Sequence, residues 1–134
     1  MKTKLLILGL LLTLIVPLIN AATCGGAVDC NCGDIVTSDY TMTYDLIDCP
    51  DNGLTLRPGA GFFDFYCDGH TIDGVRDSSY AGLTSTISYG FTIHDCNIQE
   101  FGTGINLIDT ENHIIKGTTV QNNVGVGIDM IGSL

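Results

Sequence analysis

Positive charge is what this chain has least of: five Lys and Arg face fifteen Asp and Glu over 134 residues, a net charge of −10. Two of the five, Lys2 and Lys4, precede an apolar run, leaving Arg57, Arg76 and Lys116 for everything that follows. Affinity for nucleic acid phosphates needs several Lys or Arg contacts, so no nucleic acid partner is expected. The acidity serves solubility, with calcium or a cationic surface as lesser readings. Also missing after residue 21 are any extended helical spacing of apolar residues, any second hydrophobic span and any Asn-x-Ser/Thr sequon. Those absences argue against a helical fold, against a further spanning segment, and against glycan attachment as a sign of surface display.

The one long apolar run reads as a leader. Lys2 and Lys4 precede fourteen residues from Leu5 to Leu18, interrupted by Pro17, and the small residues Ala21 and Ala22 follow. This is the pattern of a secretory signal peptide over residues 1–21, cleaved near Ala21 or Ala22. A retained membrane anchor is the weaker reading, because a spanning helix needs about 20 apolar residues. Lipidation at Cys24 is weaker still, since "AAT" lacks a large aliphatic residue three places upstream. A secreted, surface or periplasmic location follows, with one small domain and one modest core. All six cysteines lie beyond the leader, so disulfides are expected. Cys24, Cys30, Cys32 and Cys49 crowd the segment 22–50 and predict at least one bridge there; the "CNC" spacing is too tight for zinc, and no metal site is assigned.

A repeat of about 22 residues organises the rest. "FTIHDCNIQEFGTGINLIDT" lies over "HIIKGTTVQNNVGVGIDMIGS", pairing Ile93 with Ile115, Cys96 with Thr118 and Ile98 with Val120. After a one-residue insertion, Gly104, Ile105 and Leu107 meet Gly127, Ile128 and Met130; Gly82 with Leu83, and more distantly Gly53 with Leu54, extend the series upstream. Within each copy apolar residues alternate, as in Phe63, Phe65 and Cys67 or Phe91 and Ile93, which is strand periodicity, and Asp, Asn and Gly mark corners between them. A leucine-rich repeat shares the period but wants a fixed Leu ladder and a helical segment. The expected fold is all-β, a right-handed parallel β-helix of about four rungs with its interior ladder built from Phe65, Cys67, Ile72, Phe91, Ile93, Ile98, Ile105, Leu107, Ile115, Val120, Ile128 and Met130. Residues 22–50 are expected to cap one end and residues 51–134 to form rungs. Since "IDMIGSL" stops in mid-rung, the preferred account is an N-terminal piece of a longer protein; end-to-end self-association through the uncovered rung is the rival.

With "CGDIVTSDYTMTYDLIDCPDNGLTL", "YCDGHTIDG" and "GINLIDTENHIIKG" in view, the chain resembles the right-handed parallel β-helix proteins of the NosD-like and carbohydrate-associated group. The likeness covers nearly all residues after the leader. It implies polysaccharide binding, polysaccharide lyase or glycoside hydrolase activity, or a periplasmic role in copper assembly. Fold analogy alone does not choose among these.

Catalysis by a retaining glycosidase needs two carboxylates about 5 to 5.5 Å apart. Placing Phe65 over Phe91 and Ile72 over Ile98 stacks no acid on an acid. It does align Asp68, His94 and Lys116 as an outward column of acid, imidazole and amine, the candidate catalytic set. Cross-strand charge pairing is the plainer reading of that column. In "FYCDGHTIDG", Asp68 and Gly69 read as a bend with His70 at a corner, and Cys67 as a buried apolar group or half of a bridge. The function expected is a secreted or surface scaffold that binds or presents, with cell-envelope glycan or polysaccharide as partner and no cofactor. The alternatives are a lyase or hydrolase whose remaining active site lies beyond residue 134, and a NosD-like metal-assembly protein.

Overall fold

The structure, a computed structural model, describes residues 21–59, 61–86 and 89–133. The leader expected over residues 1–21 therefore lies outside the described residues except for Ala21. Among the described residues there is no helix, and every strand pairing is parallel. After β1 (Thr23–Cys24) the chain makes four turns of three strands each. These are β2 (Ile35–Val36), β3 (Tyr40–Thr41) and β4 (Leu46–Cys49); β5 (Leu54–Leu56), β6 (Phe63–Tyr66) and β7 (Thr71–Gly74); β8 (Ala81–Thr86), β9 (Tyr89–His94) and β10 (Asn97–Gln99); and β11 (Thr103–Ile108), β12 (Glu111–Lys116) and β13 (Thr119–Gln121). A last strand, β14 (Ile128–Ile131), lies on β11.

Like strands of successive turns stack into three sheets. The first runs β1-β2-β5-β8-β11-β14, the second β3-β6-β9-β12 and the third β4-β7-β10-β13. The fold is a parallel β-solenoid, as the repeat predicts. Residues 22–50 contribute strands to all three sheets and are continuous with the later turns.

Alternation builds the interior. Leu54, Leu83 and Ile105 stack in the first sheet, Phe65 on Ile93 in the second, and Ile72 on Ile98 in the third, all fully buried. Aromatic rings continue between turns, Tyr40 with Phe65 at 6.2 Å and Phe63 with Phe91 at 6.1 Å. Ser85 is a fully buried polar residue in this interior; its hydroxyl donates to the Leu56 carbonyl at 2.7 Å. Corners are turned by residues in the left-handed region, among them Asp48, Asp68, Asp95, Asp109 and Asn122, the side chains that tolerate it best after glycine.

The stacking pairs read from the repeat hold from residue 91 onward: Ile93 with Ile115, Ile98 with Val120, Ile105 with Ile128 and Leu107 with Met130. One upstream register differs. Phe63, not Phe65, lies over Phe91, and Tyr66, not Asp68, lies over His94. The cause is corner length. The step from Tyr66 to Thr71 takes five residues, whereas the equivalent step from His94 to Asn97 takes three. Asp68 and Gly69, with φ of 51° and 84°, occupy the longer corner.

All six cysteines are bridged: Cys24–Cys30, Cys32–Cys49 and Cys67–Cys96. The first two tie down the segment before and within the first turn. The third joins corners of successive turns across 29 residues. Three such bridges point to an oxidising, extracellular setting.

Candidate functional site

The corner around His70 is a structural bracket. Asp45 Oδ1, from the preceding turn, lies 2.9 Å from His70 Nδ1 and accepts the Thr71 N–H at 2.9 Å. The amide bond and the imidazole together hold the Asp45 carboxyl below its ordinary range. Asp73 likewise accepts from Gln99 Nε2 at 2.9 Å in the next turn. These groups are occupied in joining turns.

Chemistry gathers instead on the outer face of the second sheet. Because Phe63 and Phe65 point inward, Phe62, Asp64 and Tyr66 point out. The strand register puts Asp64, Thr92 and Ile114 in one outward column and Thr41, Tyr66, His94 and Lys116 in the next. Tyr66 stacks on His94, ring centroids 4.2 Å apart and 14° from parallel. The Nε2 of His94 is buried and makes no hydrogen bond, and its nearest counter-charge is Asp64 Oδ1 at 3.5 Å. Of the expected column, His94 and Lys116 are neighbours and Asp68 stands apart from them, in the corner.

The same face brings Asp39 to the backbone of Asp64, a neighbourhood the repeat does not predict. Asp39, one residue before β3, accepts the backbone N–H of Asp64 at 2.9 Å. Its carboxylate is thus held against the backbone of β6, while the Asp64 carboxylate faces His94. Beside them opens a cavity of about 300 Å³ lined by Thr37, Ser38, Asp39, Gly61, Phe62 and Phe63 among others. Phe62 is 76% exposed and its ring lies on Gly90, where a Cβ would collide with it; Gly90 also takes φ of 64°. Glycine at that position is what lets the aromatic ring approach the backbone so closely.

Phe62, Asp64 and Tyr66 were legible in principle, as the outward half of the alternation in "FFDFY". Asp39 was not, since its place depends on a 25-residue step that no local pattern announces. Among the described residues no helix is long and apolar enough to cross a membrane. Comparison of the chain with family models, curated proteins and solved structures finds no match, so the reading of this face rests on its own geometry.

Proposed function

We propose that the protein is an extracellular scaffold that binds carbohydrate on the outer face of its second sheet and does not cleave it. The observation that carries this reading is Phe62, an exposed ring laid on Gly90 at the mouth of the cavity that holds Asp39, Thr37 and Ser38. A sugar ring presents C–H groups on one side and hydroxyls at its rim. Such a ligand takes an aromatic surface below and a few convergent polar groups beside it. A cavity of this volume sits at the lower limit for a small-molecule site, the size of one or two sugar units. Outward along the sheet, Asp64, the Tyr66 hydroxyl and Lys116 extend the same mixture of acceptor, ring and donor. Neutral or amino sugars fit a chain with so few bases better than uronic acids do.

Titration of the mature chain with a panel of oligosaccharides tests this. Phe62→Ala is expected to weaken binding tenfold or more, about 1.4 kcal/mol, while leaving the unfolding free energy within about 0.5 kcal/mol of wild type. An unchanged affinity in that variant removes the site.

A second reading, glycoside hydrolysis, is favoured by one observation, the bond from the Asp64 backbone N–H to the Asp39 carboxylate, which sets two acids on one face. Release of reducing ends that disappears in Asp64→Asn would establish it and displace the binding-only reading.

A further inference from the structure

We infer that the mature protein begins at Ala22 and that its new α-ammonium group is locked in an ion pair with Asp34, so that leader removal strengthens the hold of β1 on the first turn of the solenoid. The inference is independent of carbohydrate binding and rests on the leader read from the sequence. Ala22 is where β1 joins the fold. Its carbonyl accepts the Ile35 N–H at 2.8 Å, and its own nitrogen points to Asp34 Oδ1 at 3.2 Å. Asp34 is only 8% exposed, and its second oxygen accepts the Asn31 N–H at 2.8 Å. A nearly buried carboxylate is costly unless paired, yet among the described residues no basic side chain forms an ion pair with it.

The surroundings favour a cation at this position. Ala21, the residue expected to leave, lines a cavity of about 310 Å³ together with Asp34, Asp51, Asn52 and Tyr80. Tyr80 hydrogen-bonds to Asp51, which raises the phenol above its ordinary range, and Asn52 Oδ1 is occupied by the Ala81 N–H at 2.8 Å. Asp34 is the acid whose contact with residue 22 changes on processing. A leader endopeptidase adds one water across the Ala21–Ala22 amide. Ala21 departs as a carboxylate, and Ala22 keeps its nitrogen as a protonated amine. The neutral amide donor opposite Asp34 becomes a charged one, which makes a hydrogen bond roughly twice as strong. Ala22 retains its carbonyl, so the bond to Ile35 survives the cut.

The experiment uses the secreted protein. N-terminal sequencing is expected to begin at Ala22, and a start at any other residue overturns the inference. Nα-acetylation of that chain keeps a donor and removes the charge; it is expected to lower Tm by about 5 °C. In Asp34→Asn the same acetylation is expected to change Tm by less than about 1 °C, and an equal drop in both backgrounds overturns the pairing. Should Asp34→Asn fail to fold, acylation kinetics of the wild-type α-amine decide. The native chain is expected to react at least tenfold more slowly at pH 7 than the urea-unfolded, disulfide-intact chain, and equal rates overturn the pairing.

Discussion

The first and fourth turns are built on the same plan and differ in what surrounds them. In the first, Val36, Tyr40, Met42, Leu46 and Cys49 are all at most 5% exposed. Its steps to the second turn are uneven, 20 residues in the first sheet, 25 in the second and 26 in the third. Two disulfides and two tyrosine hydroxyls hold it: Tyr40 accepts the Cys30 N–H at 3.1 Å and Tyr44 donates to the Cys30 carbonyl at 2.9 Å. The fourth turn steps evenly by 22 from the third, has no bridge of its own, and leaves Ile115 and Val120 only partly covered. On β14, Ile128 and Met130 occupy the inward columns above Ile105 and Leu107, yet they are 42% and 56% exposed. Regular spacing therefore marks which segments stack. Burial depends on a second condition, a neighbour on both sides.

The largest test of that distinction is in the aromatic stack. Phe65→Ala removes a fully buried ring between Tyr40 and Ile93 and is expected to cost about 3 to 5 kcal/mol by urea denaturation. Ile115→Ala, in the same column, is expected to cost about 1 kcal/mol; equal losses would break the comparison. Next comes the bridge of the first turn. Replacing Cys32 and Cys49 by Ala releases a 17-residue closure worth about 3 kcal/mol. Hydrogen exchange should show the loss concentrated in residues 22–56, with amides of β8 and β11 keeping their protection. Ile128→Thr should fall within about 0.5 kcal/mol of wild type, because the side chain is already in water.

The smallest effect is electrostatic. The Asp45 carboxyl is depressed in the folded protein, so the stability it contributes is complete above the ordinary carboxylate range and is lost as the pH falls through the lowered value. Asp45 is half exposed, which screens the gain. Asp45→Asn should leave stability at pH 7 little changed and flatten the acid limb of the pH–stability curve slightly.

The same comparison accounts for what could be read in advance. Between the third and fourth turns the corners are equal in length, so a constant offset of 22 superposes Ile93 on Ile115 and Ile98 on Val120, and the one-residue insertion before β14 is visible in the sequence itself. Upstream the offset changes from sheet to sheet. In the second sheet β6 to β9 takes 28 residues, while in the third β7 to β10 takes 26. A single offset carried through Ile72 and Ile98 therefore misplaced Asp68 by the two extra residues of its corner and hid Tyr66 beside His94. The cysteine pairings escaped for a similar reason: Cys67 and Cys96 meet because one corner stacks on another, not because of their spacing.

The sequence by itself determined the period-two alternation, and with it which side chains face inward, and that the strands coil in repeating turns. Those properties are local, set by pleat geometry and composition. Only the tertiary structure decided the outward neighbours, Asp39 against the backbone of Asp64 and Tyr66 on His94. Outward neighbours come from different turns, so their pairing sums the lengths of every corner between them, and one lengthened corner shifts the whole column.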